Sequence, residues 1–121
     1  MNVRILAIVS AIFLASALPA AAHHSAAQFD LTIRDRSWQG TIKEFHPENP
    51  HTKVVLEVAT PDGGTKDVTF EGSSMTNMYR AGWRPNSIKV GDKATITAAP
   101  RKDGADGGFI FSIVLEDGRR F

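Results

Sequence analysis

The fold follows from one stretch of the chain, Ser37-Trp38-Gln39-Gly40-Thr41-Ile42-Lys43-Glu44-Phe45. Its alternation of apolar and polar side chains is typical of a β-strand with one buried face, and Trp38, Ile42 and Phe45 are the candidate core residues. A glycine in the middle of such a strand, here Gly40, indicates a bulge or a tight bend, and small barrels curl at positions of this kind. The stretch therefore predicts the first strand of a small β-barrel.

Four further strands are predicted downstream. The alternating pattern places them over residues 51–59, 65–70, 93–99 and 109–115, with proline- and glycine-rich turns between them. On the second strand Val54, Leu56 and Val58 share one face, and on the third strand Val68 and Phe70 point inward. Gly91 lies in the turn before the fourth strand and is expected to need a positive φ.

A short helix is predicted between the third and fourth strands. Ser73 or Ser74 can cap a helix over residues 75–81, which Gly82 would end. Three side chains share its apolar face, namely Met75, Met78 and Tyr79. The fold class is therefore all-β with one short helix. The order β-β-β-α-β-β is that of the OB-fold, a five-stranded Greek-key barrel, while a generic five-stranded sandwich is the alternative that the periodicity leaves open.

Residues 1–22 have the pattern of a secretory signal peptide. Arg4 supplies the positive charge, residues 5–18 form an apolar run, and Pro19-Ala20-Ala21-Ala22 provides a small-residue cleavage site. The apolar run is shorter than the roughly 20 residues that span a bilayer, which favours cleavage over an uncleaved anchor. We therefore expect a signal peptide over residues 1–22, an N-terminal arm over 23–36 and an OB-like barrel domain over 37–121, in a protein that is periplasmic or secreted.

The composition excludes several classes of function. The chain has no cysteine, so disulfides and thiolate metal sites are excluded. With 14 Lys and Arg against 13 Asp and Glu, it lacks the basic excess of a nucleic-acid-binding domain. It also contains no nucleophile elbow, zinc-protease helix, phosphate loop or dinucleotide fingerprint. We therefore expect no enzymatic activity, no nucleic-acid partner, no stable membrane insertion after cleavage, and a monomer.

All four histidines lie close to the predicted mature N-terminus, at His23, His24, His46 and His51. Cleavage after Ala22 would leave a free α-amine on His23, which can chelate a metal through that amine and the ring Nδ1. An imidazole from elsewhere in the chain then completes the T-shaped arrangement known as a histidine brace, and such nitrogen-rich sites favour Cu(II). The sequence therefore predicts a copper site with His23 and His51 as principal ligands and His24 and His46 as further candidates.

A metal-free role is the alternative that the sequence leaves open. The histidine pair can be a simple polar terminus, with His51 capping a strand. The barrel would then be a binding or interaction module, since OB-folds bind their ligands across one face, and export favours a small ligand, a glycan or a protein partner. Trp83 and Arg84 are the candidate contact pair, although the position of Trp83 after a helix C-terminus favours a core role.

Several different short motifs lie along the chain, namely Ala22-His23-His24-Ser25, Gly40-Thr41-Ile42, Asn49-Pro50-His51, Tyr79-Arg80-Ala81-Gly82-Trp83, Ile88-Lys89-Val90-Gly91-Asp92, residues 100–104 and Asp117-Gly118. In this order and spacing they resemble an uncharacterised family (a domain of unknown function) of small exported bacterial proteins with an OB-like domain. That family has His-His-Ser at the mature N-terminus and an Asn-Pro-His motif. The resemblance implies the fold and export but no established activity. Family members usually carry a Trp where this chain has Pro47, and His46 has no counterpart in them.

Overall fold

The computed structural model describes residues 26–121. Within them the elements are β1 (Ser37–His46), β2 (Lys53–Ala59), β3 (Thr65–Glu71), α1 (Met75–Arg80), β4 (Lys93–Pro100) and β5 (Gly108–Leu115). The strands form a closed barrel in the order β1-β2-β3-β5-β4. The predicted OB-fold-like barrel, with its element order β-β-β-α-β-β, is thereby confirmed. The predicted signal peptide lies outside the described residues.

The first strand belongs to two ladders, and Gly40 lies where it passes from one to the other. Residues 37–41 pair with β4, and residues 41–46 pair with β2. A β-carbon at Gly40 would overlap the carbonyl oxygen of Glu57 on β2. The register shifts between Ile42 and Glu44, so the bulge itself falls at Lys43. A close approach of backbones therefore explains the glycine, and the bend follows three residues later.

The bulge also explains the spacing of the core residues on β1. Trp38 and Ile42 occupy even positions and Phe45 an odd one, yet Ile42 is fully buried and the other two pack against the core. An extra residue in a strand turns the side chains that follow it to the other face. The shift at Lys43 therefore brings Phe45 to the same inward side as Trp38.

The barrel core draws on all five strands and on the segment after the helix. Its buried members are Ile42, Val54, Leu56, Val58, Val68, Phe70, Trp83, Ile88, Ala94, Ile96, Ala98, Ile113 and Leu115. The inward faces predicted for the second and third strands are confirmed, because all five of their predicted side chains are buried. The ring of Trp38 stands edge-on to Phe70, with the centroids 5.2 Å apart, which fills the centre of the barrel.

The helix is capped as predicted, but its apolar face is only partly buried. The Ser74 hydroxyl accepts a hydrogen bond from the Asn77 amide, and Gly82 has a φ of 106° just after the helix. Met78 packs against the core, whereas Met75 is 37% exposed and Tyr79 51% exposed. The apolar face predicted for the helix is therefore not buried at Met75 and Tyr79. A helix of six residues presents little more than one side chain to the barrel.

Trp83 is a core residue. It is 5% exposed, and its ring lies 6.0 Å from that of Phe45 between centroids. Its backbone amide donates to the carbonyl of Met78, so the helix end fixes its position. The neighbouring Arg84 lies over the ring of Tyr79, with the guanidinium carbon 4.0 Å from the centroid. Trp83 therefore cannot serve as an exposed contact residue.

The barrel closes weakly between β3 and β5. These strands run parallel and pair only at Phe70 with Gly108 and at Glu71 with Phe109. Further along β5, Ile113 and Phe121 exchange two backbone hydrogen bonds of 2.9 Å, so the C-terminal residues cover the edge that β3 leaves open. We refer to the two-pair junction as the β3–β5 seam.

The segment before β1 is bound to the barrel at Phe29. This residue forms a bridge with Arg101, and hydrogen bonds of 2.9 Å from the Asp30 amide to Pro100 and from the Lys102 amide to Gln28 hold it there. Its ring is 4% exposed and lies 5.8 Å from that of Phe109. Across residues 26–121, no helix has the length and apolar character needed to cross a membrane.

Gly91 has the positive φ that the sequence predicts, at 95°, and its amide donates to the Ile42 carbonyl. A β-carbon there would meet nothing within 4 Å, so a side chain is opposed by backbone strain and not by collision. We expect Gly91→Val to lower the free energy of unfolding by about 1–3 kcal/mol, measured by urea denaturation. Val90→Ala is the control, because Val90 is exposed. Equal midpoints for the two variants would contradict this account of the turn.

Candidate functional site

A cleft of about 600 Å³ lies beside the β3–β5 seam. Phe29 forms one wall, the residues around the start of β2 and the end of β3 form the second, and the loop over residues 101–108 forms the third. His51 and Glu71 lie among the lining residues: Glu71 is the last residue of β3, and His51 lies two residues before β2. We call it the His51 cleft. A volume of this size is typical of small-molecule sites.

The backbone directly after His51 is fixed by hydrogen bonds. His51 follows the cis peptide bond between Asn49 and Pro50. The next residue, Thr52, is fully buried. Its amide donates to the Ser73 carbonyl at 3.0 Å, and its carbonyl accepts from the Gly72 amide at 2.7 Å. These bonds join the chain before β2 to the chain after β3, and they hold the His51 side chain against the end of β3.

The two ring nitrogens of His51 have different surroundings. Nδ1 lies 3.3 Å from the Gly72 carbonyl oxygen and 3.4 Å from a carboxylate oxygen of Glu71. Both atoms are acceptors, so we infer that in the neutral ring the proton resides on Nδ1. Nε2 is buried and has no hydrogen-bond partner within residues 26–121. Buried polar atoms without a partner are uncommon in proteins and call for an explanation.

An aromatic ring supports His51 from the other strand of the seam. Phe109 stands nearly perpendicular to the imidazole, at 80° and with the centroids 6.5 Å apart. Glu71 and Phe109 are themselves paired across the seam. The orientation of the His51 ring therefore depends on contacts from both strands that meet there.

The charged side chains around the cleft are paired with one another. Arg101 forms a 2.8 Å ion pair with Asp103, and Lys66 is paired with Asp106. Hydrogen bonds from the Arg101 side chain and then from the Ala105 amide lower the pKa of Asp103 to about 2. Arg101 and Lys66 are therefore engaged with carboxylates, which does not favour binding of an anion by their charge alone. A ligand in the cleft would meet mainly apolar walls.

Of the two predicted metal ligands that lie within residues 26–121, His51 lines the cleft. The other, His46, is exposed at the end of β1, with its Nε2 3.1 Å from a Glu44 carboxylate oxygen. His23 and His24 lie outside the described residues. No group of three or more His, Asp or Glu side chains in residues 26–121 is placed to hold a metal ion.

The chain length limits how far His23 can lie from the cleft. Phe29 lines the cleft, and its amide donates to the Ala26 carbonyl at 3.1 Å in a turn. His23 precedes Ala26 by three residues, and three residues span at most about 11 Å. His23 therefore lies within about 11 Å of the start of this turn.

The sequence did not indicate the residues that surround His51. Glu71, Gly72 and Phe109 approach it from β3 and β5, at separations of at least twenty residues, and a single sequence carries no signal for contacts of that kind. Only the histidine spacing pointed to this region.

Comparison with protein-family models matches residues 11–110 to a family of unknown function, DUF6152. The matched range includes the predicted cleavage site, both terminal histidines and all the residues that line the cleft. No curated protein and no solved structure gave a significant match. The predicted relation to an uncharacterised family is thereby confirmed. Because the match covers most of the chain, the protein belongs to DUF6152, the family of unknown function.

Proposed function

We propose that the protein is exported, is cut after Ala22, and binds one Cu(II) ion at the His51 cleft. The α-amine and Nδ1 of His23 supply two ligand nitrogens, and Nε2 of His51 supplies the third. His24 is a further candidate ligand, whereas His46 lies beside Glu44 and does not line the cleft, so we do not include it in the proposed site. Cleavage after Ala22 is part of the proposal, because the α-amine of His23 exists only in the processed chain.

The observation that carries this proposal is the state of His51 Nε2. Its neighbour Nδ1 faces the acceptors Gly72 and Glu71, which leaves the lone pair of the neutral ring on Nε2. That nitrogen is buried without a partner in the described part of the chain. Metal-binding histidines have this arrangement, in which one nitrogen donates to an acceptor and the other binds the ion. Coordination would satisfy the buried nitrogen.

The docking of Phe29 supports the choice of His23 as the other ligand. Its bridge with Arg101 and its contact with Phe109 fix Phe29 beside the cleft, and His23 is three residues before the turn that begins at Ala26. The donors are then all nitrogens, and among divalent ions such sites favour Cu(II). A carboxylate-rich site would favour Mg²⁺ or Ca²⁺ instead.

The terminal chelate is tested by adding one residue before His23. Protein that begins at His23 is compared with protein that carries one additional Met before it. The extra residue keeps all four imidazoles and removes only the amine–Nδ1 chelate. We expect one Cu(II) per chain by calorimetry and nitrogen hyperfine structure in the electron paramagnetic resonance spectrum. The extended form should bind at least about a hundredfold more weakly, which corresponds to about 2.7 kcal/mol.

The role of His51 is tested by a matched pair of histidine variants. His51→Gln removes the cleft imidazole, and His46→Gln removes an exposed imidazole that does not line the cleft. We expect His51→Gln to weaken copper binding about as much as the extra Met does, with His46→Gln close to the unaltered protein. Equal affinity of His51→Gln and the unaltered protein would exclude His51 as a ligand.

A second candidate function is a metal-free binding module, and the size of the His51 cleft favours it. The cleft has about 600 Å³, which is large enough for a small ligand, a glycan terminus or a side chain of a protein partner. If the correctly processed protein binds no copper, this function becomes the better proposal. Addition of such a ligand would then raise the melting temperature of the unaltered protein.

A further inference from the structure

We infer that Glu71 is a positioning residue for the copper site, because it holds the proton of His51 on Nδ1. This inference rests on the proposed function. Glu71 Oε1 lies 3.4 Å from His51 Nδ1, so its charge is beside Nδ1 and farther from Nε2. The proton of a neutral imidazole is stabilised on the nitrogen that faces acceptors and negative charge. Glu71 therefore favours Nε2 as the nitrogen able to bind a metal.

The Gly72 carbonyl and the Glu71 carboxylate act on the Nδ1 proton in different ways. The carbonyl lies 3.3 Å from Nδ1 and accepts its hydrogen bond. The carboxylate lies 3.4 Å from Nδ1 as an ion-pair contact, and its negative charge attracts a proton on Nδ1 more strongly than one on the more distant Nε2. The charge of Glu71 therefore adds to the preference that the Gly72 hydrogen bond sets.

The position of Glu71 is itself fixed by the barrel. It is the last residue of β3, where it pairs with Lys53 on β2 and with Phe109 on β5. Its side chain is about one quarter exposed, which leaves the carboxylate partly screened from water. A group held by two strand pairings keeps the His51 ring in one orientation better than a loop residue would.

The first experiment does not need copper. In ¹⁵N-labelled apoprotein at neutral pH, the nitrogen chemical shifts of His51 distinguish the two neutral tautomers, and His51→Gln identifies its signals. We expect a protonated Nδ1 in the unaltered protein. In Glu71→Ala the population should shift toward a protonated Nε2, and Glu71→Gln, which keeps the volume and an acceptor oxygen, should lie between. An unchanged tautomer in Glu71→Ala would overturn the inference, whether or not the protein binds copper.

The second experiment measures copper affinity on the correctly processed protein. Loss of an outer hydrogen-bond partner of a metal-binding His typically costs 10–100-fold in affinity, and we expect a loss in this range for Glu71→Gln. Asp106→Asn is the matched control, because Asp106 also lines the cleft but pairs with Lys66. A retained affinity in Asp106→Asn supports positioning by Glu71. Equal losses in both variants would instead assign the effect to the charge of the cleft and would overturn the inference.

Discussion

Replacing Trp83 by alanine is expected to lower the free energy of unfolding by about 3–5 kcal/mol. The indole is 5% exposed, packs on Phe45 at 6.0 Å and belongs to the barrel core. Its removal leaves a cavity between the helix and the barrel, and the backbone bond from its amide to Met78 limits collapse around that cavity. Urea denaturation measures the loss. We expect a lower midpoint and an unchanged slope of the free energy of unfolding against urea concentration.

Trp83→Phe separates packing from hydrogen bonding at the same position. Trp83 Nε1 is buried without a hydrogen-bond partner within residues 26–121, so a phenyl ring loses volume but also removes an unsatisfied donor. Leaving a buried donor unsatisfied costs about 1–3 kcal/mol. We therefore expect the phenylalanine variant to be far more stable than the alanine variant. Alanine and phenylalanine variants as stable as the unaltered protein would mean that Trp83 is a surface residue, as a role in ligand contact requires.

Gly40→Ala is expected to cost about 3 kcal/mol, the upper end of the usual cost of overpacking. The added β-carbon would overlap the Glu57 carbonyl oxygen, which is backbone and cannot rotate away. Relief requires β1 and β2 to separate, and this breaks part of the ladder that closes the barrel. Gly40→Val should cost more, because its side chain is larger.

Gly72→Ala is the matched control for Gly40→Ala. Gly72 is buried, but a β-carbon there would meet its nearest atoms at 3.5 Å, an ordinary contact distance. We therefore expect Gly72→Ala to destabilise the protein less than Gly40→Ala does. Thermal or urea denaturation of both variants provides the comparison. A Gly40→Ala protein as stable as Gly72→Ala would contradict the close approach of β1 to β2.

Local patterns were sufficient to predict the strands but not the contacts between them. The faces of β2 and β3 follow from alternation, because each strand buries one side. The bulge at Lys43 could not be located in this way. A break in the alternation of apolar and polar side chains looks the same in sequence whether a bulge or a partly buried residue causes it. Met75 was misassigned for a related reason, since a helix of two turns takes its orientation from tertiary packing.

The candidate site was predictable only in part, for the same physical reason. The clustering of histidines and the motif at His51 are local features, and a single sequence displays them. The approach of Glu71 to His51 depends on pairing between β2 and β3, and the contact with Phe109 depends on closure of the seam. Residues 28–30 contact residues 100–102, which lie about seventy positions later in the chain. A periodic pattern is local and cannot predict such contacts.

The short junction between β3 and β5 bears on how the protein fluctuates. Proteins open locally with free energies well below that of global unfolding, and segments with few pairings open first. Two residue pairs join these strands, so we expect the barrel to open here while the longer ladders stay intact. Glu71 lies on one side of this seam and Phe109 on the other, and both contact His51. We therefore expect transient separation of these strands, and not loss of the core, to expose the buried Nε2 to solvent.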